Sequence, residues 1–261
     1  MNEDKLAQDL KKITLKAGKA VMSHYGNAKI QYYKKHVTDI VTQADIASNK
    51  VITTFIKKNY PTHGIISEEE KDYQRDAEYV WIIDPIDGTR NFSSKLPHFS
   101  VLVAIAKNNK VIMGAICQPF FKELYFARQG KGAYLNKKKI HCSSAKSIER
   151  SIGVIDISFR NAATREKTKR MILAEEKTGY WVTELTCIGS NALIVADGRR
   201  DWLCQPKVGG VWDLAAPYII LKESGCKVTN FQGKEWTLND GDMIAANPLL
   251  HKKILAIMNK K

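Results

Sequence analysis

Long apolar runs are missing from this 261-residue chain. No stretch reaches about 18 uninterrupted apolar residues, so no segment is expected to span a membrane. The polar, acidic start, Met1-Asn2-Glu3-Asp4-Lys5, argues against a secretory signal. Cysteine is sparse: Cys117, Cys142, Cys187, Cys204 and Cys226 are widely spaced, odd in number and form no Cys-x-x-Cys pair. That pattern argues against a disulfide framework and reads as buried, reduced thiols in a cytoplasmic protein. Six scattered histidines make no His-x-x-x-His pair, which argues against a zinc site. A P-loop pattern is also absent, and composition shows no linker, repeat or disordered tail.

Acids are outnumbered, 27 Asp and Glu against 41 Lys and Arg, for a net charge of +14. Most of that excess reads as solubilising surface. It is also compatible with attraction of anionic phosphate esters and with weak electrostatic contact to nucleic acid. The run Lys137-Lys138-Lys139 sits in an apparent turn and lacks interleaved aromatics, so it offers no stacking platform for single strands.

What is present is concentrated in Trp81-Ile82-Ile83-Asp84-Pro85-Ile86-Asp87-Gly88-Thr89. A hydrophobic strand delivers Asp84, and Pro85, having no N–H, is expected to stop the ladder there. Gly88 permits close backbone approach, and Thr89 can open a helix whose free N–H groups face an anion. Two further apolar elements end in acids: Gly64-Ile65-Ile66-Ser67-Glu68-Glu69-Glu70, and Val211-Trp212-Asp213 ahead of a helix-length segment reaching about Ser224. Singly, these are an acidic loop and a helix cap. Together they suit a hard cation, which needs several oxygen ligands and relieves the repulsion between neighbouring carboxylates.

At these residues the chain resembles the inositol monophosphatase family of Mg²⁺-dependent, Li⁺-sensitive phosphatases. The resemblance runs from Val41-Thr42-Gln43-Ala44-Asp45 through Gly130-Lys131-Gly132-Ala133 to Gly189-Ser190. It implies a layered αβαβα sandwich with the active site between its halves, often as a homodimer. It also implies Glu68, Asp84 and the carbonyl of Ile86 as ligands of a first Mg²⁺, and Asp84, Asp87 and Asp213 as ligands of a second, with a third, weaker ion near Glu68. Two such cations about 3.5–4 Å apart can clamp the attacking and leaving oxygens of an in-line displacement. The N–H groups of Gly88 and Thr89 would hold phosphate, Asp45 with Thr89 would orient and deprotonate the attacking water, and Glu69 joins them as a catalytic candidate.

The substrate is left more open. Inositol-hydrolysing relatives carry a glutamate seven residues before the Trp-Asp aspartate, where this chain has Pro206, or Gln205 if one residue is inserted. Ser190, Asn191, Gln205, Lys207 and Arg90 are the candidates for substrate contact. Inositol 1-phosphate or a related sugar or polyol phosphate is one expectation. Histidinol phosphate, fructose 1,6-bisphosphate, adenosine 3′,5′-bisphosphate and NADP are alternatives, and some bacterial relatives also act in transcription complexes.

Periodicity predicts a helix from about Asp4 to Tyr25, a polar arm or hairpin over Lys34 to Asp45, and a helix from about Asp45 to Asn59, for which Asp45 could be only the N-cap. A hairpin is expected at Lys107-Asn108-Asn109-Lys110, with a meander through Leu135. Ile152–Ile157, a helix around Thr164–Lys177, Ala192–Ala196, Trp212–Leu221 and Met243–Ala246 then fit an α/β arrangement. The fold class is therefore α/β, with an α+β half over residues 1–145 and an α/β half over residues 146–261.

Overall fold

The computed structural model describes residues 2–34, 40–156, 162–206 and 209–259. Helix α1 (Glu3–Met22) begins at Asn2, whose side chain accepts from the N–H groups of Asp4 and Lys5. Leu6, Leu10, Ile13, Ala17 and Val21 bury one stripe of it. Strands β1 (Ile30–Tyr33) and β2 (Ile40–Thr42) pair antiparallel as the expected arm. Helix α2 (Gln43–Asn59) follows directly. Its N-cap is Thr42, and Asp45 is the third helical residue of a capping box, which corrects the reading of Asp45 as the cap itself.

Eight strands then form the larger sheet: β3 (Gly64–Ser67), β4 (Glu70–Tyr73), β5 (Tyr79–Asp87), β6 (Ser100–Lys107), β7 (Lys110–Gln118), β8 (Glu123–Arg128), β9 (Gly132–Leu135) and β10 (Lys138–Ile140). Their order is β10-β9-β8-β7-β6-β5-β3-β4, parallel only between β3 and β5. The β6–β7 hairpin turns at Asn108 and Asn109, both with positive φ, as a two-residue turn between right-twisted strands requires. Lys138 and Lys139, expected in a turn, are strand residues paired with Leu135 and Tyr134. Pro85 does not end β5. The ladder breaks into a bulge between Asp84 and Asp87 and resumes where Asp87 faces Ser100. A five-residue helix, α3 (Thr89–Ser93), follows Gly88.

The smaller sheet contains β11 (Ile152–Ile155), β12 (Trp181–Thr183), β13 (Trp202–Gln205), β14 (Lys227–Thr229) and β15 (Met243–Ala246), in the order β12-β11-β13-β15-β14. It is mixed, since β11 runs parallel to β12 and β13 while β15 is antiparallel to both its neighbours. Helices α4 (Ala162–Thr178), α5 (Ile188–Ala196), α6 (Trp212–Glu223) and α7 (Pro248–Met258) complete the chain. Ile157, expected in the first strand here, lies outside the described residues.

Strand alternation sorts side chains into three cores and thereby into layers. Trp81, Ile83, Val101 and Val103 face α1 and α2, whereas Ile82, Leu102 and Ala104 face α5 and α6. Leu203 and Ala245 approach that middle helical layer from the second sheet. Trp202, Cys204, Ile244 and Ala246 point the other way, onto α4 and α7. The result is the αβαβα sandwich. Because β5 is buried along its whole length between α2 and the middle helices, its acidic end opens inside the molecule.

Candidate active site

Three of the expected acids converge. One carboxylate oxygen from each of Glu68, Asp84 and Asp213 lies within 4.8 Å of the others. Each comes from a different element. Glu68 follows β3 and its N–H bonds the Ile83 carbonyl, Asp84 rides on β5, and Asp213 is the second residue of α6. Asp84 is fully buried, and its Oδ1 has no hydrogen-bond partner among the described residues. Burial and then the charges of Glu68, Asp87 and Asp213 raise its pKa well above the usual carboxylate range. A buried, partnerless carboxylate oxygen among other carboxylates is costly unless a cation completes it. The all-oxygen donor set is the kind that Mg²⁺ takes.

Asp87 stands beside this group with its carboxylate turned to α5. Oδ1 accepts from the N–H of Ile188 at 3.0 Å. Oδ2 accepts from the N–H of Gly189 at 2.5 Å, the thiol of Cys187 at 2.9 Å and the hydroxyl of Ser100 at 3.3 Å. Burial raises its pKa and these donors oppose the rise. Two glycines allow the approach. A β carbon at Gly88, where φ is +82°, would sit 2.9 Å from the His98 carbonyl, and one at Gly189 would sit 2.4 Å from Ser100 Oγ. Gly88→Ala should therefore destabilise the fold by more than about 1 kcal/mol, from left-handed strain and the clash together. Equilibrium denaturation checks this, and an unchanged midpoint would contradict it.

Asp45 and Thr89, 44 residues apart, meet. Asp45 Oδ2 accepts from the N–H and the hydroxyl of Thr42 at 2.8 and 2.6 Å. Its Oδ1 is 3.3 Å from Thr89 Oγ1, whose single proton also has the Ile86 carbonyl at 2.9 Å. Burial pushes the Asp45 pKa up to about 7 against the hydrogen bonds from Thr42, with Glu69 and Glu68 adding to the rise.

A residue that sequence reasoning missed reaches the same place. Lys34, just after β1, places Nζ 2.8 Å from Glu68 and 2.7 Å from Glu69. Burial works against its ammonium, but Glu68 and the hydrogen bonds to both glutamates outweigh it and raise its pKa. Tyr32 also donates to Glu69, at 3.3 Å. No local signal marks Lys34, because its position depends on the arm folding back over β3.

The substrate candidates are less gathered. Ser190 Oγ accepts from Gln118 at 2.7 Å, and Asn191 Oδ1 accepts from the Leu185 N–H; both residues are buried. Gln205 is fully buried and donates to Asp156 at 2.5 Å. Each of the three thus bonds within the fold, while Asn191 Nδ2 and Gln205 Oε1 have no partner among the described residues. Arg90 is exposed, and its charge acts on half-buried Glu184, whose pKa is raised by burial and by Asp156. Lys207 lies outside the described residues.

The inositol monophosphatase family profile matches residues 2–261. The fructose-1,6-bisphosphatase/inositol-1-monophosphatase of Thermotoga maritima is 33% identical over 249 residues, spanning 95% of this chain and 94% of that protein. Nus factor SuhB of Haemophilus influenzae is likewise 33% identical over 249 residues, spanning 92% and 90%. Among solved structures, the Thermotoga maritima IMPase superposes with a TM-score of 0.87 at 32% identity, covering 98% of this chain and 97% of that one.

Proposed function

The chain belongs to the inositol monophosphatase family, and from that premise we propose that it is a Mg²⁺-dependent phosphomonoesterase acting on small phosphate esters. The observation that carries the reading is the convergence of Glu68, Asp84 and Asp213 around a buried carboxylate oxygen with no partner among the described residues. Those three residues would hold the cation, with Asp87 and the Ile86 carbonyl beside them. When bound, Mg²⁺ supplies charge neutralisation at the phosphoryl oxygens and lowers the pKa of water. The chain's own residues do the rest. Thr89 orients the attacking water through its hydroxyl. Asp45, with its pKa near 7, holds the proton that the water gives up. The N–H groups of Gly88 and Thr89 face the phosphate. Lys34 offsets the charge of Glu68 and Glu69. The lithium sensitivity of the family is part of the same proposal.

The proposed substrate is inositol 1-phosphate or a related polyol phosphate, without overwhelming preference. The position that inositol enzymes fill with glutamate carries Pro206 here, or Gln205 if one residue is inserted, and Gln205 is buried and donates to Asp156. A substrate panel tests this. Values of kcat/KM are expected to fall within about 10³-fold of one another for inositol 1-phosphate, fructose 1,6-bisphosphate, histidinol phosphate, adenosine 3′,5′-bisphosphate and NADP⁺, and to vanish with EDTA. A larger preference for one non-inositol ester would replace the inositol assignment. Activity that survives EDTA would sink the metal reading itself.

A second reading, contact with the transcription machinery, is motivated by the Nus factor relatives and the net charge of +14. Fluorescence titration against RNA should show weak binding that falls steeply with salt. Tight, sequence-selective binding at physiological salt would instead promote that role.

A further inference from the structure

Away from the acidic cluster, the fold brings two of the five cysteines together. Cys142 lies in the connector between the sheets, just after β10, and Cys226 lies in the turn between α6 and β14. The Cys142 N–H donates to the Ser224 carbonyl at 3.0 Å, which lays the connector along that turn. The Cys142 sulfur packs on Gly225, 3.7 Å from where a β carbon would stand. Both cysteine side chains belong to one apolar cluster. The influence of Cys226 lowers the Cys142 pKa against burial, and the influence of Cys142 together with burial raises that of Cys226.

Access separates Cys142 from the other four cysteines. Cys142 is partly exposed, whereas Cys117, Cys187, Cys204 and its neighbour Cys226 are buried. Burial pushes the Cys117 thiol up to about 12, and burial together with Asp87 raises Cys187 well above the ordinary thiol range. Thiol reactivity follows thiolate character and access, and only Cys142 combines both with a second thiol at its side. From this juxtaposition we propose that Cys142 and Cys226 form a modification site at which a small-molecule disulfide is reduced and the two cysteines are joined by an intramolecular disulfide.

The steps balance. The Cys142 thiolate attacks one sulfur of the reagent, forming a mixed disulfide and releasing one reagent thiolate. Cys226 then gives up its proton and attacks the Cys142 sulfur, releasing the second reagent thiolate. Two protein thiols are oxidised and one reagent disulfide is reduced to two thiols. The new bond would tie the connector to the end of α6, the helix that begins beside Asp213.

Incubation of the whole chain with oxidised glutathione, followed by acid quench and intact-mass analysis, tests the proposal. The expected product is lighter by about 2 Da, the mass of two hydrogens. Alkylatable thiols should fall from the five of the sequence to three, and a proteolytic fragment should link Cys142 to Cys226. Cys226→Ser should keep a stable glutathione adduct on Cys142, and Cys142→Ser should stay unmodified while folded. A stable adduct on wild-type Cys142 with Cys226 still free would overturn the pairing. Five intact thiols after prolonged excess of reagent would overturn the reactivity.

Discussion

Replacing Asp84 with Asn should abolish phosphate release, lowering kcat by at least about 10³-fold, which corresponds to roughly 4 kcal/mol. The substitution keeps the shape of the side chain and removes its charge at the most deeply buried carboxylate of the cluster. Without Mg²⁺ the same variant should be as stable as the wild type or more so. The raised pKa means that the folded wild-type protein holds a proton on Asp84 more tightly than the unfolded chain does. Wild-type stability without metal therefore declines as pH rises from the ordinary carboxylate range, near 3.9, through that raised value. Asn removes this penalty at neutral and alkaline pH and changes little in acid. Added Mg²⁺ should raise the melting temperature of the wild type and leave the variant nearly unmoved, because only a ligand that binds the folded state stabilises it. Thermal melts with EDTA and with Mg²⁺, run beside the activity assay, separate lost metal binding from lost folding. Equal Mg²⁺ stabilisation of both proteins would remove Asp84 from the site.

Thr89→Ala and Asp45→Asn should each lower kcat by about 10²–10³-fold and leave KM within a few-fold, since water orientation and proton removal act on the chemical step. Their pH profiles should differ from that of the wild type. Asp45 must be unprotonated to accept a proton, so wild-type kcat/KM should rise with pH through a limb no higher than about 7, and Asp45→Asn should lack it. Cations bound near Glu68 would move the limb lower by offsetting the glutamate charges. The capping box predicts a separate cost, about 1 kcal/mol of stability for Asp45→Asn but not for Thr89→Ala. If Asp45→Asn loses stability while kcat holds, the residue serves the Thr42 capping box and nothing more.

The parts legible in the sequence are those whose physics is local. Helix α1 announces itself by spacing, the Asn108-Asn109 turn by residue type, and the acidic strand end by Asp84, Asp87 and Gly88 in one short run. The parts that were not legible depend on contacts made across the chain. Pro85 was expected to stop its strand, but Ser100 on the neighbouring strand takes up the pairing again at Asp87. Lys138 and Lys139 look like turn residues by charge, yet pair as the edge of a sheet where their side chains remain in solvent. Lys34 reaches Glu68 across 34 residues. Cys187 reaches Asp87 across 100, where no sequence window could join them. Gln205, a candidate substrate contact by its place in the chain, is buried and donates to Asp156, a contact 49 residues away that its local sequence does not announce.

The two aspartates of one short motif also carry different historical information. Asp87 receives donors from Ile188, Gly189, Cys187 and Ser100, so a descendant that abandoned phosphate chemistry would still need it to close the gap between the large sheet and α5. Asp84 Oδ1 has no such second employment. Freed from its cation, a lineage would gain stability by discarding the Asp84 charge and lose it by discarding Asp87. Where descendants of this architecture survive as binding proteins alone, the record of that change should be written at the position of Asp84, while Asp87 persists as an architectural fossil.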